Sequence, residues 1–81
     1  MGKHDELIIQ IVLRRSFINI SFSELCNLLE WLGFKKRIKG DHHIFYKEDV
    51  EEIINLQPKG SLAKPYQVKQ VCSILMKRFG Y

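Results

Sequence analysis

At 81 residues the chain has room for one domain only, and a domain of this size buries about 60% of its unfolded surface, so its stability is marginal. With 46% hydrophobic and 27% charged residues, its composition is that of a globular protein and excludes the disordered and membrane classes. No apolar run approaches the roughly 20 residues of a transmembrane helix, and the residues around Lys3 do not form a secretory signal, so we expect a cytoplasmic protein.

Charge is unevenly distributed along the chain, whose formal net charge is +4. Residues 57–81 contain basic but no acidic side chains, and a second basic cluster lies at residues 35–39. This segregation favours a polyanionic partner, because each contact with a phosphate releases condensed counterions. A basic face that is merely solvated explains the same pattern.

Two helices are predicted in the first part of the chain. Residues 5–15 place apolar side chains at helical spacing, with acids in the first turn and arginines in the last. The second helix follows Ser21 and Glu24, which match the S-x-x-E capping pattern, and it ends before Gly33, where a left-handed cap is expected. Its apolar stripe consists of Leu25, Leu28, Leu29 and Leu32.

Three short strands are predicted next, at residues 34–39, 43–47 and 52–56. Gly40-Asp41 suits a two-residue hairpin turn between the first two strands, and the acidic residues 48–51 join the second to the third.

The remaining residues are predicted to form a loop, 57–64, and a last helix that Pro65 opens and Gly80 ends. The apolar stripe of this helix consists of Val68, Val71, Cys72, Leu75 and Phe79. The order α-α-β-β-β-α predicts an α+β fold, in which helices cover one face of a three-stranded antiparallel sheet and leave the other face open.

The densest polar group lies at the hairpin and includes His42 and His43. Histidine both takes and gives a proton near neutral pH, and RNA cleavage needs these transfers together with cations that stabilise charge on the phosphate. A two-residue turn pairs Ile38 with His43 and Lys39 with His42, so the two histidines point to opposite faces and do not act as a pair. The pattern leaves open which face is exposed. Taken alone, a strand histidine is more often a surface residue or a satisfied core residue than a catalyst.

Other chemistry is disfavoured. Cys26 and Cys72 fall on or beside apolar helical stripes, which predicts buried thiols and no Cys-His nucleophile. Asp41 and the adjacent histidines offer metal-ligand types, but neighbours on a strand point apart, so we expect no metal site and no cofactor. The acidic residues 48–52 are predicted to form a solvated turn, and Trp31 is expected in the core.

The segment from Ser21 to Phe79 resembles the HicA (YcfA-like) mRNA interferase toxins. The resemblance lies in Leu32-Gly33-Phe34, a basic strand, Gly40-Asp41-His42-His43-Ile44-Phe45, the Lys59-Gly60 loop and the helix of residues 64–75. It implies a double-stranded-RNA-binding-like fold, metal-independent cleavage of mRNA with translation arrest, and neutralisation by a HicB-type antitoxin that covers the active site.

The resemblance also implies that His43, the last residue of the family's Gly-Ser-x-His motif, is the catalytic general acid or base. Gly40 supplies the turn beside the bound RNA, and charge alone suggests the phosphate-binding residues Lys36, Arg37, Lys39 and Lys59. Asp41 stands where the family usually has Ser, and a carboxylate there would raise the pKa of a nearby histidine and repel phosphate. Two outcomes follow: weak cleavage, or an Asp41 side chain that turns outward.

We interpret residues 1–81 as a single HicA-like domain, with an N-terminal helical extension at 1–19 and the conventional toxin core at 20–81. The extension is hypothesised to enlarge the antitoxin interface or to mediate self-association. A non-catalytic RNA-binding module of the same fold is the alternative function, and a protein-binding adaptor is a third.

Overall fold

The computed structural model describes residues 2–81, so Met1, the first residue of the predicted extension, lies outside the described residues. Helix α1, Lys3–Ile8, continues as a π-helical turn, Ile9–Leu13, and is followed by α2, Phe22–Trp31. Five strands follow: β1 (Lys35–Lys39), β2 (His42–Lys47), β3 (Val50–Leu56), β4 (Pro58–Lys59) and β5 (Leu62–Ala63). The last helix is α3 (Pro65–Phe79). The predicted α+β class and the order α-α-β-β-β-α are confirmed, with one small hairpin added.

The helix ends follow local signals in the sequence. The Ser21 hydroxyl accepts a hydrogen bond of 3.3 Å from the backbone N–H of Glu24 and caps α2. Gly33 follows that helix at a φ of 102°, a left-handed conformation that favours glycine. Pro65 stands in the first turn of α3.

The main sheet has the order β1-β2-β3 and is antiparallel throughout. The Gly40-Asp41 turn pairs Ile38 with His43 and Lys39 with His42, as the hairpin prediction requires. Gly40 has a φ of 63°, a left-handed conformation that glycine adopts without strain.

The helices pack on one face of this sheet, where Phe45, Ile54 and Leu56 are completely buried. The N-terminal helix contributes to the same core through four apolar side chains: Leu7, Ile8, Ile11 and Val12. The predicted extension therefore supports the sheet-covering layer and is not an appendage to it.

Three expectations were wrong in detail. Trp31 is 55% exposed, because it lies on the side of α2 away from the sheet, where it stacks against His4 with ring centroids 4.9 Å apart. Residues 57–64 contain the β4–β5 hairpin, which Leu62 extends by a bridge to Ser21. Strand β3 begins at Val50, whose side chain is buried, so the acidic turn is shorter than predicted.

Within residues 2–81, no helix has the length and apolar character needed to cross a membrane.

Candidate active site

His43 lies on the helix-covered face of the sheet, at the edge of the core. On this face its neighbours across the ladders are Ile38 of β1 and Leu56 of β3. The Phe22 ring, from the first turn of α2, packs in a T-shaped arrangement against the imidazole, with centroids 4.9 Å apart and an interplanar angle of 78°. Strand β2 and the start of α2 therefore fix the ring between them.

A hollow of about 180 Å³ opens beside this ring, between α2 and the β1–β2 ladder. It is lined by His43, Phe22, Ser23, Cys26, Asn27 and Lys36, which we call the His43 pocket. The pocket therefore combines an imidazole, one ammonium group, a hydroxyl and an amide with an aromatic wall. These groups match the needs of a phosphodiester, which presents anionic oxygens and hydroxyl groups.

The two ring nitrogens of His43 differ in environment. Nδ1 is buried without a hydrogen-bond partner, the one such side-chain nitrogen or oxygen among residues 2–81. An unpaired buried polar atom costs about 1–3 kcal/mol, and such an atom in a folded protein calls for an explanation, of which a catalytic role is one. With Nδ1 enclosed, proton exchange with a bound molecule falls to Nε2.

Cys26 lines the pocket but is not a nucleophile. Burial raises the pKa of its thiol to about 11, an effect that the nearby Lys36 only partly opposes. At neutral pH the thiol is protonated and therefore a poor nucleophile. The Lys36 ammonium lies 3.6 Å from the Glu30 carboxylate at the rim of the pocket, an exposed contact that a phosphate can replace.

His42 lies on the opposite, open face. Its Nδ1 is 3.1 Å from Oδ1 of Asn55, and its Nε2 is 3.7 Å from Oδ1 of Asp41. The other carboxylate oxygen of Asp41 accepts a hydrogen bond of 2.8 Å from Nε2 of Gln57, and this bond lowers the pKa of Asp41 below its ordinary value. Asp41 is thus engaged by Gln57 and His42 and does not line the His43 pocket.

The structure divides the residues predicted for the site. Lys36 joins His43 at the pocket, whereas Arg37 and Lys39 point to the open face and Lys59 lies on the separate β4–β5 hairpin. Gly40 forms the turn. Among residues 2–81, no group of three His, Cys, Asp or Glu side chains could hold a metal ion.

The sequence reading missed the contribution of α2 to the pocket, which comes from Phe22, Ser23 and Asn27. Ser23 and Asn27 are four residues apart and so share one side of the helix, next to the leucine stripe. This polar pair beside the apolar stripe was the sequence signal that could have predicted the contribution of α2. What it did not show is that this side of α2 faces the β1–β2 hairpin.

A comparison with protein families gives one match, to a family model described as "HicA toxin of bacterial toxin-antitoxin", over residues 22–80. The matched segment runs from the first residue of α2 through α3 and contains every residue of the His43 pocket. Searches of curated proteins and of solved structures give no match. The chain thus belongs to the HicA toxin family, and it is the toxin of a toxin-antitoxin pair.

Proposed function

We propose that this toxin is a metal-independent endoribonuclease that cleaves mRNA and so arrests translation, with His43 as general acid or base. The observation that carries the proposal is the imidazole with one enclosed nitrogen in a pocket that also presents an ammonium group. The family membership supports it, since the pocket lies wholly within the matched segment.

The reaction that fits these groups is attack of a ribose 2′-oxygen on the adjacent phosphorus. The new O–P bond forms a cyclic phosphate while the bond to the 5′-oxygen breaks, and the 2′-proton is lost as the 5′-oxygen gains one. Nε2 of His43 supplies one of these transfers and water supplies the other. Lys36 stabilises the negative charge that grows on the phosphoryl oxygens.

This assignment gives different roles to the two histidines of β2. The pocket holds a single imidazole, because His42, the second histidine of the strand, faces away from it. The proposed mechanism accordingly uses one histidine. Asp41 is held by Gln57 and His42, which supports the outward orientation and an active enzyme in spite of the missing Ser.

We also propose that the partner is a HicB-type antitoxin and that it acts by covering the His43 pocket. The N-terminal helix offers a second apolar surface for that partner or for self-association. Leu13 is 75% exposed and borders a hollow of about 280 Å³ that Ile9, Val12 and Tyr81 also line.

The test is cleavage of a single-stranded RNA by protein made in a cell-free system, in the presence of EDTA. His43→Ala should lower the rate by about 10²- to 10⁴-fold, the usual contribution of a general acid or base. His4→Ala, a histidine on α1 outside the pocket, is the matched control and should cleave like the wild type. The all-deoxy oligonucleotide of the same sequence lacks the 2′-hydroxyl and should stay intact.

Growth provides the cellular readout. Induced expression of the wild type should arrest a bacterial host and fragment abundant mRNAs, and His43→Ala should relieve both effects. RNA cleavage that persists in purified His43→Ala would contradict the proposal. RNA binding without cleavage by the wild type would favour the alternative, a non-catalytic RNA-binding module.

A further inference from the structure

The face of the sheet opposite the helices is uncovered in this chain and has a distinct chemistry. We call it the open face and define it by the outward side chains of the three strands: Lys35, Arg37, Lys39, His42, Ile44, Tyr46, Glu51, Ile53 and Asn55. It combines a column of cations on β1 with exposed apolar groups on β2 and β3.

The cations on β1 are regularly spaced and available. Lys35, Arg37 and Lys39 alternate with inward residues, so their Cα atoms are about 6.6 Å apart, a distance close to the phosphate repeat of an extended single strand. All three are exposed, and none forms an ion pair with any acid of residues 2–81. They are therefore free to contact successive phosphates.

Three acids at or near this face have partners within residues 2–81. Glu51, at the far corner on β3, lies 3.6 Å from Arg78, and Asp41 is bound by Gln57. Asp49, in the turn between β2 and β3, pairs with Lys47. The three cations therefore give β1 a continuous row of positive charge, and Glu48, which has no ion pair among the described residues, lies only near its Lys35 end.

Tyr46 supplies a platform beside the cations. Tyr46 is 41% exposed and stands opposite Lys35. It borders an open hollow of about 630 Å³ whose other lining residues are Gly33, Lys35, Lys47, Glu48 and Asp49. A second hollow, of about 540 Å³, lies at the hairpin end of the same face, beside Lys39 and His42. Exposed aromatic rings flanked by cations bind single-stranded bases by stacking.

We infer that the open face binds single-stranded RNA, with phosphates along β1 and a base stacked on Tyr46. A duplex fits poorly because its bases are stacked inside the helix and cannot reach the ring. β1 is an edge strand, so a strand of RNA on the open face can cross that edge to Lys36 and His43. This last step rests on the proposed function, in which the bound RNA is the substrate.

The test uses the full chain with His43→Ala, so that binding is measured without cleavage, and a labelled short oligouridine followed by fluorescence anisotropy. Tyr46→Leu should weaken binding about tenfold, since a stacked base is lost, whereas Tyr46→Phe keeps the ring and should bind normally. Replacing Lys35, Arg37 and Lys39 by Gln should lower the slope of log affinity against log salt by about two. Lys69→Gln, on the exposed side of α3, is the charge control.

Circular dichroism establishes whether each variant is folded. If Tyr46→Leu is unfolded, the salt dependence of the triple charge variant tests the inference in its place. Equal affinity of the Leu and Phe variants, with an unchanged salt slope in the triple variant, would overturn the inference. So would loss of antitoxin binding with intact RNA affinity, which would assign the open face to a protein. If the wild type does not cleave RNA yet these variants bind it more weakly, the proposed function fails and this inference stands.

Discussion

The two faces of the β-sheet place the same residue types in different environments. Strand β2 shows the difference, because it carries one histidine and one aromatic residue on each face. His43 and Phe45 point to the helices, where one imidazole nitrogen is enclosed and the phenylalanine is completely buried. Their neighbours His42 and Tyr46 point to the open face and keep contact with solvent. The comparison teaches that alternation along one strand separates the proposed catalytic pocket from the proposed binding surface.

The largest expected effect concerns the two aromatic neighbours. Phe45→Ala should cost about 3–5 kcal/mol of unfolding free energy, because it leaves a cavity in the core beneath the helices. Tyr46→Ala should cost about 1 kcal/mol or less, as is usual for exposed positions. Urea unfolding followed by circular dichroism measures both, and similar losses for the two variants would show that the open face is covered in solution.

The N-terminal helix repeats the contrast within a single turn. Ile11 is completely buried and Leu13 is exposed, so Ile11→Ala should cost about 2–5 kcal/mol and Leu13→Ala close to nothing. Thermal unfolding of the two variants checks this. If Ile11→Ala is as stable as the wild type, the helix does not belong to the core.

This contrast also changes how the proposed interface is tested. Deleting residues 1–19 would remove four core side chains and destabilise the toxin, so loss of antitoxin binding by the shortened chain would not by itself report on an interface. Leu13→Ser keeps the core intact, and its effect on complex formation and on oligomeric state reports on the exposed surface alone.

The parts of the fold that the sequence predicted well are those governed by local rules. Ser21 caps α2, Gly33 and Gly40 take left-handed conformations, and the two-residue turn sets the register of β1 against β2. Each depends on residues adjacent in the chain. The β4–β5 hairpin was not predicted, because strands of two residues are too short to show an alternating pattern.

The assignment of faces needed the tertiary structure. On β1 and β2 both faces mix polar and apolar side chains, so periodicity alone did not determine whether His43 or His42 faced the helices. The same ambiguity concealed that Lys36 and His43 line one pocket, to which Asn27 of α2 also contributes. Trp31 was misplaced because a large aromatic side chain predicts burial only on average.

The smallest expected effect concerns the neighbours Glu51 and Glu52 on β3. Glu52 points to α3, where its carboxylate accepts a hydrogen bond of 2.9 Å from Nε of Arg78 and lies 3.3 Å from Nζ of Lys77. These contacts, the Arg78 hydrogen bond first, lower the pKa of Glu52 from 4.5 to about 2. Glu51 is 93% exposed, so its contact with Arg78 is screened by solvent.

Glu52→Gln should therefore destabilise the toxin at neutral pH more than Glu51→Gln does. Because the pKa of Glu52 is lower in the folded state, its carboxylate stabilises the fold fully above about pH 4.5, and this contribution is lost as the pH falls toward 2. The difference in unfolding free energy between wild type and Glu52→Gln should shrink over that interval, whereas the Glu51→Gln difference stays small throughout. A Glu52→Gln difference that stays constant from pH 6 to pH 2 would contradict this prediction, because it would mean that the contribution of Glu52 to stability does not depend on its charge.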